Sequence, residues 1–205
     1  MKNLYLFDFD GVIVDSLDLY ETSIRTCLEE INWPIIKKHE DFLDLFEENF
    51  YEAIAKKGVP LDAFKEASAS IASTLDYSKV RAFYELKPVL QHFSLENFLV
   101  VVSSNRKDVV ERTLYREEID CCFEEVLGAD FMLSKTAKIM YAMDRWGKTP
   151  SETYYIGDTA GDIREAKSAG VHAVAVTWGW HSEIRLQTAG AEYIARTPND
   201  LLFLQ

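Results

Sequence analysis

The chain has 205 residues, 48% of them hydrophobic and 27% charged, with a formal charge of −12 at pH 7. That length bounds one to two domains with a core that needs no disulfide or metal staple, and the apolar fraction excludes a disordered chain. The acidic balance argues against a general nucleic-acid or anionic-membrane binder, because both partners require a basic face; an anionic small molecule would have to be attracted locally, against the global field.

LYLFD (Leu4 to Asp8) is a short apolar run ended by Asp-Phe-Asp-Gly and reads as a buried strand. From Ser16 the period changes. Leu17, Tyr20, Ile24, Cys27, Leu28 and Ile31 share one helix face, with Asp15 or Ser16 as the cap and Trp33-Pro34 as the stop. A second amphipathic helix carries Phe42 through Ile54 and stops at Gly58 and Pro60. A third carries Phe64, Ala67, Ile71 and Leu75, and a fourth spans Ser78 to Leu86. No strand pattern occurs between Ser16 and Lys87, so residues 16–86 are predicted to be an all-helical insertion with the size of a small domain.

After Pro88 strands and helices alternate. FLVVVS (Phe98 to Ser103) is a continuous apolar run, as in a strand buried on both faces. A helix from Lys107, a weaker strand at Glu125 to Ala129 and a helix over Lys135 to Trp146 follow. TYYIGD (Thr153 to Asp158), a helix over Gly161 to Ala169 and HAVAVTW (His172 to Trp178) come next. A helix at Ser182 to Thr188, a short strand at Tyr193 to Ala195 and a helix from Pro198 complete the chain. This rhythm predicts an α/β fold: a doubly wound parallel sheet, residues 1–15 and 87–205, with the helical insertion inside it.

The three cysteines Cys27, Cys121 and Cys122 are odd in number and form no C-x-x-C, so neither a disulfide framework nor a zinc site is expected. A reduced cytoplasmic protein is the expectation. No apolar run approaches the roughly 20 residues of a membrane helix, and the N-terminal apolar stretch is too short for a signal peptide.

In a parallel α/β sheet, ligands gather beyond the carboxyl ends of the strands. Those ends carry Asp8 and Asp10, then Ser103-Ser104-Asn105, then Lys135, then Asp158 with Asp162 four residues on. Clustered carboxylates either raise a pKa or take up a cation, and oxygen-only ligands suit Mg²⁺. One carboxylate can act as a nucleophile and a second as general acid/base, while a hydroxyl, an amide and a lysine hold phosphoryl oxygens. Taken singly, each feature has a plain alternative: Asp and Gly favour turns, serine caps helices, and Asp162 suits a helix first turn. The ordered set of four carries the reading. Trp178-Gly179-Trp180-His181 reads first as a packed loop and second as a site contact. Lys37, Lys38, Lys56, Lys57, Lys65 and Lys79 read as a solvated face.

DFDGVIVDS resembles the first motif of the haloacid dehalogenase superfamily, D-x-D-G-(V/T)-x-x-D-S. VVVSSN resembles the second motif, Lys135 stands as the third and GDTAGD as the fourth. The tail, from DIREAKSAG through VAVTWGWHSE to TPNDLL, is similar to the phosphoglycolate-phosphatase-like branch. The helical insertion matches that branch's cap in position and helicity alone. Ser134-Lys135-Thr136 departs from the usual Gly-Lys-Pro. The resemblance implies Asp8 as nucleophile and Asp10 as general acid/base. It implies Ser103, the Ser104 amide and Lys135 as phosphoryl ligands, with Ser103 favoured over Ser104 for the hydroxyl. It also implies Mg²⁺ held by Asp8, the Asp10 carbonyl and Asp158, with Asp162 supporting through water or a hydrogen bond.

The expected activity is a Mg²⁺-dependent phosphatase acting on a small phosphorylated metabolite, phosphoglycolate or a sugar phosphate. A sugar phosphomutase carries the same motifs and returns the phosphoryl group to sugar. A phosphonate hydrolase would need a Schiff-base lysine from the insertion. A phospho-Asp signalling or binding module also combines Asp, hydroxyl and Lys, but it is shorter and places its Asp on a later strand. The physiological substrate and the oligomeric state are not written in the sequence.

Overall fold

A computed structural model describes residues 2–72 and 77–204. The chain opens on strand β1 (Leu4–Phe7), whose four residues are all buried. A short pair follows, β2 (Val14–Asp15) and β3 (Arg81–Ala82), and then the longer strands β4 (Phe98–Val102), β5 (Glu125–Leu127), β6 (Thr153–Gly157), β7 (His172–Val176) and β8 (Tyr193–Ala195). The six longer strands form one parallel sheet in the order β5-β4-β1-β6-β7-β8. The chain leaves β1 to build outward on one side through β4 and later on the other through β6. The carboxyl end of β1 is therefore the switch point of the sheet, where a crevice opens.

Alternation along β1 assigns the two faces. Tyr5 and Phe7 join one core with helices α5 (Leu86–Ser94) and α6 (Lys107–Arg116). Leu4 and Leu6 join the opposite core with α7 (Lys135–Trp146), α8 (Ala160–Ala169) and α9 (Glu183–Ala189). Both faces are covered, which is why the central strands read as unbroken apolar runs.

A third core lies in the insertion. Helices α1 (Leu17–Glu30), α2 (His39–Leu43), α3 (Phe50–Lys56) and α4 (Leu61–Ala72) enclose Ile24, Leu28, Phe42, Phe46, Phe50 and Phe64. Trp180, from the loop after β7, is buried in the same cluster. Its ring sits 4.9 Å from Phe46 and 5.2 Å from Tyr20, so the sheet domain contributes to the core of the insertion.

Several elements differ from the pattern. The stretch Ser78 to Leu86 is not a helix: a 3₁₀ turn at Tyr77–Lys79 leads into β3, which pairs antiparallel with β2 at Val14↔Ala82. The insertion is thus not all-helical, and two-residue strands are too short to show any alternation in sequence. The helix over Phe42 to Ile54 is broken after a 3₁₀ turn at Asp44–Phe46, because the Asn49 side chain caps α3 by accepting from the Tyr51 and Glu52 amides. Leu75 lies outside the described residues. The segment from Pro198 is 3₁₀ rather than α. Ser16 is the N-cap residue of α1 but makes no capping bond; its hydroxyl is used elsewhere. Among the described residues no helix is long and apolar enough to cross a membrane, and the three cysteines are free.

Candidate active site

Strand β1 ends one residue before Asp8. The Asp8 amide still donates to Ile156 O at 2.9 Å, and the Phe9 amide donates to Asp8 Oδ1 at 2.7 Å, which fixes the carboxylate over the strand end. Gly11 then turns the chain with φ +80°. A Cβ there would lie 2.2 Å from Asp158 Oδ2, so only glycine lets the loop approach so closely. Trp178 Nε1 donates to Val12 O at 3.1 Å and holds the same loop from the other side.

Asp10 is buried and carries a net of donors. Ser16 Oγ donates to Oδ1 at 2.7 Å, Tyr77 OH to Oδ1 at 3.4 Å and Asn105 Nδ2 to Oδ2 at 3.1 Å. Burial raises the Asp10 pKa, while the bonds from Ser16, Asn105 and Tyr77 oppose the rise. A carboxyl kept closer to its protonated form in this way is suited to give a proton and take it back.

Lys135 is the first residue of α7, set in place by the Ser134 N-cap, whose Oγ accepts from the Ala137 amide at 3.2 Å. Its ammonium bridges Asp8 Oδ2 at 2.7 Å and Asp162 Oδ1 at 2.5 Å. Burial acts to lower Lys135, but Asp162 and Asp8 outweigh it and hold the lysine well above its usual value. Burial, with Asp162 and Asp10 added to it, pushes Asp8 up to about 7 against the pull of Lys135.

Asp162 is saturated. Its Oδ2 accepts from the Thr159 amide and hydroxyl at 3.1 and 2.6 Å in a capping box at the start of α8, and its Oδ1 accepts from Lys135 and from Tyr155 OH at 3.1 Å. Burial acts to raise Asp162, but Lys135 and Thr159 reverse it and keep the group below the usual carboxylate range. Asp158 is the opposite case. It is fully buried, its Oδ2 accepts from the Trp180 amide at 2.7 Å, and its Oδ1 has no partner among the described residues. Burial, Asp162 and Asp8 raise it well above the carboxylate range. A buried carboxylate oxygen without a donor is costly unless a cation meets it. Asp8, Asp158 and Asp162 place carboxylate oxygens within 4.8 Å of one another, a donor set that fits a hard divalent cation.

The two serines divide. Ser103 is fully buried and its Oγ accepts from the Asn105 amide at 2.9 Å, which leaves its proton free to donate. Ser104 lines a small open cavity together with Asp8, Asp10, Lys135, Asp162 and Trp180. A second, larger cavity adjoins it through Tyr20, Phe50 and Ser104 and runs between α1, α3 and α4 and the loops after β4 and β5. The six lysines of the insertion are exposed; Lys65 lines this second cavity.

The structure therefore gathers Asp8, Asp10, Ser104, Lys135, Asp158 and Asp162 at one rim, with Ser103 directly beneath it. Asn105 stands at the rim where the sequence places it, and it is joined by Ser16, Tyr77 and Lys138, to which the sequence assigns no part in the site. Lys138 lies one turn beyond Lys135, within reach of a spacing argument; Tyr77 has no signal, since it falls between two predicted helices rather than at a strand end. Trp180 does both things the sequence allowed it, packing in a core and lining the cavity.

The insertion is pinned to this rim. A Cβ on Gly161 would lie 2.4 Å from Glu48 O. His181 Nδ1 accepts from the Ala160 amide at 3.0 Å, so its Nε2–H donates to Leu43 O at 3.0 Å, and burial lowers its pKa in keeping with a neutral ring.

A sheet with its carboxylates at the β1 switch point is the frame of a hydrolase family that the comparisons identify. A family model for haloacid dehalogenase-like hydrolases matches residues 5–176, and the chain belongs to that family. It is similar to the phosphoglycolate phosphatase of Synechococcus elongatus, 27% identical over 208 residues, covering 96% of this chain and 94% of that one. The phosphoglycolate phosphatase of Mannheimia succiniciproducens is 25% identical over 216 residues, covering 96% and 95%. A haloacid dehalogenase-like family hydrolase from Streptococcus pneumoniae shares the fold with a TM-score of 0.80 at 21% identity, covering 100% of this chain and 99% of that one. A hydrolase from Pseudomonas syringae does so with 0.83 at 18% identity, covering 98% and 97%. The family and these relatives define an enzyme of the phosphatase class.

Proposed function

We propose that the chain is a Mg²⁺-dependent phosphatase that hydrolyses a small phosphorylated metabolite through an aspartyl-phosphate on Asp8. The observation that carries this is the Lys135 ammonium held between Asp8 and Asp162, beside the unpartnered Asp158 Oδ1. Asp8 attacks phosphorus in line; the phosphorus–oxygen bond to the leaving alcohol breaks as Asp10 gives its proton to that oxygen. Asp10 then takes a proton from water, which attacks phosphorus and releases inorganic phosphate and the Asp8 carboxylate.

Asp8, the Asp10 carbonyl and Asp158 would hold the metal, with Asp162 supporting through Lys135 and the α8 cap. Mg²⁺ bound there neutralises carboxylate and phosphoryl charge, which answers the repulsion of an anion by a −12 chain. The Ser103 hydroxyl, the Ser104 amide and Lys135 hold the phosphoryl oxygens. Residues 16–86 act as the cap, and the leaving group extends into the larger cavity lined by Tyr20, Tyr51, Lys65, Ser68, Tyr77 and Asn105. The protein works in the cytoplasm on this reading.

Phosphate release with Mg²⁺ is the test, measured over a panel headed by phosphoglycolate, the substrate in the names of the relatives, and continuing through sugar phosphates. Asp8→Asn should abolish release while the fold is kept. Release that persists in that variant, from clean preparations, would sink the nucleophile assignment; isomerised sugar phosphate without free phosphate would replace hydrolysis by a mutase.

A further inference from the structure

Lys138 is the second lysine of α7, one turn after Lys135, and its side chain is completely buried. A lysine in that position needs a reason, because burying an ammonium is expensive. Its ammonium does not reach the carboxylates. It donates to the backbone carbonyl of Ser103 at 2.5 Å.

Ser103 follows β4, where the sheet ladder runs out. Its amide still donates to Leu127 O at 3.0 Å, and its hydroxyl accepts from the Asn105 amide. Its carbonyl oxygen belongs to the same planar peptide group as the Ser104 N–H. In a trans peptide the C=O and N–H vectors point in opposite directions, so a donor that fixes one fixes the other. The Ser104 N–H has no protein acceptor among the described residues, and Ser104 lines the cavity of Asp8 and Lys135. A cationic or strongly polar donor on the carbonyl also draws electrons from the amide and strengthens its N–H as a donor.

We infer that Lys138 is a positioning residue for phosphoryl recognition: by holding Ser103 O it aims and polarises the Ser104 N–H toward a phosphoryl oxygen. The inference rests on the reading of the site as a phosphatase. Burial, with Lys135 beside it, pushes Lys138 down to about 7, while Asp8, Glu165 and Asp130 oppose the fall. This fits a lysine whose work is to donate a hydrogen bond rather than to hold a permanent charge.

The test uses the Mg²⁺-loaded enzyme and two variants. Lys138→Met keeps the volume and removes the donor; Lys138→Gln keeps a shorter donor and guards against a Met variant that fails to fold. The readouts are the inhibition constants of inorganic phosphate and orthovanadate, which do not depend on the active fraction, and the amide resonance of Ser104. Lys138→Met should weaken both inhibitors at least tenfold and shift the Ser104 amide proton upfield, and Lys138→Gln should recover part of each effect. Inhibition constants within twofold of the parent in folded Lys138→Met, with the Ser104 resonance unmoved, would overturn the inference; where Lys138→Met does not fold, the same result in Lys138→Gln would. A parent enzyme that releases no phosphate from any member of the panel would overturn the phosphatase reading instead, so the two failures are separable.

Discussion

Gly161 tests how tightly the insertion is held on the sheet. It is the second residue of α8, and a Cβ built there meets Glu48 O at 2.4 Å and Phe46 O at 2.9 Å. Favourable contact needs about 3.5 Å, so Gly161→Ala requires the segment between α2 and α3 to retreat by roughly 1 Å. That segment is tied down from both sides. The Arg164 guanidinium donates to Glu47 O, and Asn49 Nδ2 donates to Glu165 at 3.2 and 3.3 Å. Alanine gains up to about 1 kcal/mol of helix propensity over glycine. Overpacking against a backbone that cannot yield costs about 1–3 kcal/mol. The clash should win, for a net loss of roughly 1–2 kcal/mol, and a larger loss for Gly161→Val. Urea unfolding of parent and variants measures this as a fall in midpoint at constant slope. A Gly161→Ala protein as stable as the parent, or more so, would show that the segment moves freely and that the helix term decides.

Further outcomes follow from the same site. Mg²⁺ should raise the melting temperature, by an amount equivalent to about 2.7 kcal/mol at a hundredfold excess over its dissociation constant. Chelator should reverse that gain, and Asp158→Asn should abolish it, because the unpartnered Oδ1 is the oxygen that needs the cation. Calorimetric scans with and without Mg²⁺ decide this, and an Asp158→Asn protein with the full shift contradicts it. Ser16→Ala removes the largest of the hydrogen bonds that lower Asp10. Asp10 should then stay protonated to higher pH, so the alkaline limb of the kcat profile, which reports loss of the general acid, should move up. A limb that stays put or moves down refutes the role of Ser16.

The fold was largely legible because its signals are local. Apolar runs such as FLVVV and the 3.6-residue stripes of α1 and α4 report burial on two faces or one. The misses fall where structure depends on a distant partner. Strand β3 exists only because Val14 and Asp15 lie beside it, and the helix expected through Phe42 to Ile54 breaks where Asn49 finds a better use as a cap. Ser16 looked like a cap for α1, but its hydroxyl is drawn to Asp10, a competition the local sequence cannot weigh.

The site divides in the same way. By itself the sequence determined which chemical groups stand at the strand ends, because Asp8, Asp10, Ser103, Ser104, Lys135, Asp158 and Asp162 each follow a recognisable strand or open a helix. Only the tertiary structure decided how they are used. Two carboxylates four residues apart in the chain have opposite environments: Asp162 has every oxygen bonded, whereas Asp158 keeps one buried oxygen bare. Two lysines one turn apart do different work, Lys135 between carboxylates and Lys138 on a carbonyl. Sequence fixes the donors and acceptors available. Their partners, burial and pKa depend on which segments meet across the sheet, and that is a property of packing at long range.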